Sequence, residues 1–262
     1  MRVGFTDLLR DAAERRGAVG AFTCYNLETA AGVLQAAEAA GRGVILLVSK
    51  QSFSDMFVAA LVAAADRTAV PACVQLDHVS DPAMIRRTFE LGAGAAIVEG
   101  EDADVVRAAA ALGKVEAELG GIEGDEDVAA AVAAGALTDP DEAAAFVAGT
   151  GAACFAVSIG NVHGRYREPP TLDWERLEAI RKRVNVPLSL HGASGLPHED
   201  VRRAVELGVA KVNINTDLRE AYLAATAERL PEVREGARLL DLNRAQMDAI
   251  AEVVARKLAV LG

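Results

Sequence analysis

Apolar residues in this chain come in short unbroken runs separated by longer segments of mixed character. The runs are Val19–Thr23, Val44–Ser49, Ala72–Leu76, Ala95–Val98, Val115–Leu119, Ala153–Ser158, Pro187–Leu190 and Ala210–Ile214. A one-sided antiparallel sheet alternates apolar and polar positions, whereas parallel strands covered on both faces are apolar almost throughout. These runs are of the second kind. Between them lie Ala/Leu-rich helical segments, and Gly17, Gly41 with Gly43, Gly92, Gly113, Gly151 and Gly208 stand where a glycine cap would turn a helix into the next strand. Eight such β-α units in 262 residues predict an α/β fold, a TIM (β/α)8 barrel forming a single domain over 1–262. A doubly wound open sheet is the rival. Its fingerprint is missing, because Gly92-Ala-Gly94-Ala-Ala-Ile97 has isoleucine in place of the third glycine and precedes a strand where it ought to follow one.

The spacing of the runs is uneven. Roughly 20 residues separate the fourth from the fifth run and roughly 35 to 40 the fifth from the sixth, more than a short βα connection needs. The insert, Gly120–Leu137, is rich in Gly, Asp and Glu before an alanine-rich stretch that reads as a helix. A mobile loop over a site is expected there.

Composition narrows the function. With 38 acidic against 27 basic side chains the net charge is -11, which argues against nucleic acid as a partner. The longest apolar stretches, Met56–Ala65 and Val128–Leu137, are about half of the roughly 20 residues needed to cross a bilayer, so no membrane partner is expected. The N-terminal stretch reads as an amphipathic helix without the apolar core or cleavage site of a signal peptide, and a cytoplasmic location follows. Cys24, Cys73 and Cys154 have neither disulfide nor zinc-site spacing and read as small buried residues.

Three of the four histidines fall at the C-terminal ends of predicted strands: His78 after the third, His163 after the sixth and His191 at the end of the seventh. A barrel brings those ends onto one face, and three neutral imidazoles with an open position make a catalytic zinc centre. His198, in GLPHEDV, reads as a solvated helix-entry residue. Carboxylates share the same rim: Asp77, Glu99, Glu116, Glu118 and, in the acidic loop, Glu126. An acid beside a Lewis-acid metal suits proton transfer. Glu116 and Glu118 lie on one strand face, so at least one points into the barrel and needs a partner, while Asp125 and Asp127 read as a solvated loop edge. The turns His191-Gly-Ala-Ser-Gly195 and Asn213-Ile-Asn-Thr-Asp217 supply backbone N–H groups ahead of helices, an anion pocket that implies a small phosphorylated substrate.

Taken in order, DH at 77–78, VEAELG at 115–120, HG at 163–164, LHGASG at 190–195 and KVNINTD at 211–217 resemble the class II, zinc-dependent ketose-bisphosphate aldolases over nearly the whole chain. The resemblance implies reversible cleavage of fructose or tagatose 1,6-bisphosphate to dihydroxyacetone phosphate and glyceraldehyde 3-phosphate, and a homodimer or homotetramer. It implies Zn²⁺ on His78, His163 and His191. Asp77 would exchange the proton of the C4 hydroxyl and Glu126 the proton at C3. Gly164, Gly192, Ser194, Asn213, Asn215 and Thr216 would hold the phosphate and a monovalent cation such as K⁺ or Na⁺. Asn26 and Ser49 fall at substrate-contacting positions, and Glu99 and Glu118 are candidates for a second metal or for support of the first.

The chain also departs from that pattern. Glu99 replaces the family's aspartate after the fourth strand, Lys50-Gln51 follow Ser49 where small residues are common, Glu123 precedes Gly124 in the loop, and Gly236-Ala-Arg238 replaces the segment whose arginine reaches the far phosphate of a neighbouring subunit's substrate. Three alternatives stay open: an aldolase that joins dihydroxyacetone phosphate to a non-glycolytic aldehyde, an imine-forming aldolase using Lys211, and a degenerate barrel that only binds sugar phosphates.

Overall fold

The computed structural model describes residues 1–100, 102–124, 131–133 and 135–262. Eight parallel strands close into a barrel: β1 (Val19–Cys24), β2 (Val44–Ser49), β3 (Ala72–Val79), β4 (Ala95–Val98), β5 (Val115–Leu119), β7 (Cys154–Val157), β9 (Leu188–Leu190) and β10 (Val209–Ile214). Around the closed ring they run β1, β10, β9, β7, β5, β4, β3, β2. The expected runs match these strands closely.

Period-two geometry sorts each strand into an inner and an outer set. Phe22, Leu46, Val48, Val74, Leu76, Ala96, Val98, Phe155 and Ile214 belong to the layer between barrel and helices. The alternate positions, Val19, Ala21, Ile45, Leu47, Cys73, Ala95, Ile97 and Cys154, form a separate apolar cluster at the floor of the barrel. The N-terminal helix α1 (Phe5–Glu14) closes that floor with Phe5, Leu8, Leu9 and Ala12. All three cysteines are free and buried, as their sequence context predicts.

Further along the strands the inner positions turn polar: Thr23 and Ser49 follow Ala21 and Leu47, Gln75 and Asp77 follow Cys73, Glu116 and Glu118 lie in β5, and Lys211 and Asn213 in β10. The polar end of the barrel is thus a continuation of its own packing parity.

Helices follow the strands: α2 (Leu27–Ala40), α6 (Pro140–Thr150), α8 (His198–Glu206), α9 (Thr216–Arg234) and α10 (Leu239–Leu258) are the ones that matter below. His198 is exposed at the first position of α8, as expected. None of the helices among the described residues is long and apolar enough to cross a membrane.

Two expectations are corrected. The alanine-rich part of the insert is not helical where it is described: Ala131–Val132 is a short strand, β6, paired in parallel with β8 (Arg165–Tyr166) outside the barrel. Gly121 N–H donates to the Ala136 carbonyl at 2.8 Å, so backbone pairing overrides alanine's helix propensity. Among the glycine caps, Gly41, Gly92, Gly151 and Gly208 have positive φ, whereas Gly17, Gly43 and Gly113 do not. These three allow close approach; a Cβ on Gly113 would stand 2.6 Å from the Phe89 ring.

Candidate active site

Consecutive residues of a strand point to opposite faces, so Asp77 and His78 ought not to share a site. They do, because the register of β3 against β4 shifts between Leu76 and Val79, and His78 adopts a left-handed backbone with φ of 46°. A non-glycine residue in that region stores strain that the surrounding structure must hold. The result is that both side chains line one cavity at the barrel mouth, with His78 Nδ1 2.9 Å from Asp77 Oδ1.

His163 and His191 reach the same place from other strands. The ring centroid of His78 is 5.0 Å from that of His163 and 5.0 Å from that of His191. His163 follows β7 on a loop held by Asn161, whose amide accepts from Ile159 N–H and donates to the carbonyls of Val157 and His191. Asn161 thereby ties two of the three histidine-bearing segments together. Loop residue Glu123 accepts from His163 N–H at 2.8 Å, and a Cβ on Gly124 would lie 2.1 Å from the His163 carbonyl oxygen, so only glycine fits there.

A buried ion network stands below the histidines. Glu116, fully buried, accepts from Gln75 at 3.0 Å, lies 2.9 Å from Lys211 Nζ and meets His191 Nε2 at 2.7 Å. Burial alone would raise its carboxyl; Lys211 and His191 outweigh that and hold it well below the ordinary range. With a carboxylate on Nε2, His191 carries its proton there and turns the Nδ1 lone pair into the mouth. In the same way Asp77 on Nδ1 leaves Nε2 of His78 to face Glu118, 3.4 Å away. Burial pushes His191 down, favouring the neutral imidazole that a metal requires.

His191 Nδ1 and Glu118 Oε2 stand 3.5 Å apart, both buried and without a hydrogen-bond partner among the described residues. Two lone pairs facing each other across a dry gap repel unless a cation lies between them. His78, Glu118, His163 and His191 each offer one ligand atom, all within 4.8 Å of one another. Two of these imidazoles rest on carboxylates, the arrangement that orients histidine ligands. The donor set fits a divalent ion.

The expected phosphate groups also converge. Gly164, Gly192, Ser194, Asn213, Asn215 and Thr216 line a small pocket together with His163, at the N-terminal end of α9. Ser194 Oγ accepts from the N–H groups of Asn215 and Asp217 and anchors that helix start. Gly192 has φ of 64°, and a Cβ on it would stand 1.9 Å from the Val162 carbonyl oxygen. Tyr166 donates its hydroxyl proton to the Gly192 carbonyl at 3.0 Å; burial pushes its phenol up and keeps that proton in place.

Other expected residues sort unevenly. Ser49 lines the cavity, its hydroxyl accepting from Gln51 N–H at 3.1 Å. Glu99 lines it too; it pairs with Lys50 at 2.8 Å and is not one of the four clustered donors. Asn26 is not in this cavity: its oxygen caps α2 through Thr29 N–H, its amide donates to the Tyr222 hydroxyl, and it lines a separate cleft against α9. Glu126 lies outside the described residues. Lys211, which an imine mechanism would need, lines neither cavity and is held by Glu116 and Asn213. Gln75, Asn161 and Tyr166 were not expected as site residues. Only Gln75 leaves a trace in the sequence, as a polar residue at an inner position of an apolar strand two before Asp77.

Residues 3–262 match the family described as fructose-bisphosphate aldolase class-II. The chain belongs to that family. Among solved structures, the YdjI aldolase of Escherichia coli K12 is 31% identical with a TM-score of 0.88, covering 100% of this chain and 98% of its own. A Coccidioides immitis protein assigned as a fructose-1,6-bisphosphate aldolase is 29% identical with a TM-score of 0.85, over 98% and 96%. The fructose-bisphosphate aldolase of Campylobacter jejuni, 19% identical with a TM-score of 0.76 over 99% and 95%, shares the fold.

Proposed function

We propose that the protein is a zinc-dependent aldolase that reversibly cleaves fructose 1,6-bisphosphate, or a related ketose phosphate, to dihydroxyacetone phosphate and an aldehyde. The observation that carries this reading is the three-histidine, one-glutamate donor set beside an anion pocket at one barrel mouth. His78, His163 and His191 would hold the ion with Glu118 as fourth donor, and imidazoles with a carboxylate suit Zn²⁺. When bound, the metal supplies a Lewis acid that favours the negative charge developing on substrate oxygens as the carbon–carbon bond breaks.

The chain's own groups do the rest. Asp77 has one oxygen on His78, while Oδ2 is buried without a hydrogen-bond partner among the described residues and is left to take the C4 hydroxyl proton in cleavage and return it in condensation. Gly164, Gly192, Ser194, Asn213, Asn215 and Thr216 seat the phosphate on the positive end of α9, beside His163, which fixes where the reacting carbons lie. Glu126 is assigned the C3 proton, and Ser49 a hydroxyl contact. Three reduced, buried cysteines suit the cytoplasm. A homodimer or homotetramer is supported by the exposed Leu223 on α9 and Leu239 and Leu240 on α10, and sedimentation velocity tests it.

The activity test is direct. Metal-stripped protein should be inactive, and Zn²⁺ should restore both exchange of the C3 proton of dihydroxyacetone phosphate in D₂O and cleavage of a ketose phosphate. Full activity without metal, or a zinc-loaded protein that does neither, would overturn the reading. Borohydride trapping of a substrate carbon on Lys211 would replace it with an imine mechanism.

A further inference from the structure

The cavity carries a cation that the chemistry above does not use. Lys50 follows β2 and Glu99 follows β4, and the two meet at 2.8 Å across the end of β3, which lies between those strands in the barrel. The pair therefore sits over Asp77, the acid assigned to the C4 hydroxyl. In the closed ring β3 is four strands from β9, opposite the phosphate pocket. Lys50 and Glu99 thus stand across the barrel mouth from that pocket, and His163 lines both cavities between them.

Among the described residues that line this cavity Lys50 is the only Lys or Arg; the other charged ones are Asp77, Glu99 and Glu118. Residues 101 and 125–130 read Glu and DEDVAA, with no basic residue. Arg238, between α9 and α10, donates to the Glu232 carbonyl, lies 3.6 Å from Asp241 and does not line this cavity.

We propose that the Lys50–Glu99 pair is the acceptor end of the cavity and selects an uncharged hydroxyaldehyde, so that the ketose split or made here carries one phosphate. The inference rests on the aldolase reading. An ammonium only donates and a carboxylate only accepts, whereas a sugar hydroxyl does both and slots between them. The pair is 43% and 47% exposed, weak enough for hydroxyls to share. A terminal phosphate has only acceptors; Lys50 attracts it and Glu99 repels it from nearly the same place, with Asp77 and Glu118 behind.

The test is the ratio of kcat/KM for glyceraldehyde 3-phosphate to that for glyceraldehyde, in addition to dihydroxyacetone phosphate. Wild-type enzyme should show a ratio below about one. Glu99→Gln should raise it roughly tenfold by leaving Lys50 unopposed, and Lys50→Gln should lower it by a similar factor. A purely structural role would move both aldehydes together and leave the ratio unchanged in either variant. Unchanged ratios in the variants, or a wild-type ratio above about one, would overturn the proposal. If the wild-type enzyme still exchanges the C3 proton of dihydroxyacetone phosphate in that event, only the assignment of this pair falls. If it neither exchanges that proton nor turns over any aldehyde, the aldolase reading falls and the proposal with it.

Discussion

The floor and the mouth of this barrel are made from the same eight strands and the same inward-facing parity, and they differ only in which residues occupy it. At the floor, Val19, Ala21, Ile45, Leu47, Cys73, Ala95 and Ile97 pack against α1 and bury nothing that must be paired. At the mouth the next inward positions are Ser49, Gln75, Asp77, Glu116, Glu118, Lys211 and Asn213, each of which costs stability when buried unless partnered. Stability should therefore be governed by the floor and chemistry by the mouth, with the Glu116–Lys211 pair as the one element that answers to both.

Variants arranged by size of effect can break that division. His191→Ala is expected to be the most severe: metal content falls to near zero by mass spectrometry and turnover drops more than about a thousandfold, while thermal unfolding stays cooperative. Retained metal in this variant would mean that Glu118, His78 and His163 suffice.

Glu116→Gln leaves Lys211 charged and fully buried without its carboxylate, which should cost about 3–5 kcal/mol in urea unfolding. It also removes the group that orients His191, so metal affinity by chelator competition should weaken about 10- to 100-fold. A loss of stability with unchanged metal affinity would detach the network from the site.

Leu9→Ala opens a cavity in the floor and should cost about 2–5 kcal/mol, with metal content and kcat of the folded protein unchanged. A fall in kcat would show that the floor transmits strain to the mouth.

Gly192→Ala places a Cβ against the Val162 carbonyl at a left-handed backbone, at a cost of about 1–3 kcal/mol, and it should raise KM for the ketose phosphate about tenfold while altering metal content little. His198→Ala, on an exposed helix start, should change stability by less than about 0.5 kcal/mol and metal content not at all.

Much of this was legible in the chain. Continuous apolar runs separated by helical segments specify a parallel, doubly covered sheet, because only burial on both faces tolerates such runs. The strand ends then identify the rim, and with it His78, His163, His191, Asp77 and the groups that line the small pocket at the start of α9. Period-two geometry also required at least one of Glu116 and Glu118 to find a partner; for Glu116 the structure supplies Lys211. Which partner was not legible: Lys211 is far away in sequence, and barrel closure alone puts β10 and β5 across one interior. Nor was the left-handed backbone of His78, which turns an adjacent Asp-His pair into one site, or the burial of Asn161 beneath two histidine loops. That Asn26 caps α2 and bonds Tyr222 of α9 was not legible either, and the alanine-rich insert looked helical and forms a strand where it is described. Hydrophobic periodicity and strand-end chemistry are properties of neighbours along the chain, so the sequence determined the fold and the list of candidates. Ion pairing, backbone strain and the meeting of Lys50 with Glu99 depend on distances between residues far apart in the chain, and only the closed barrel decided those.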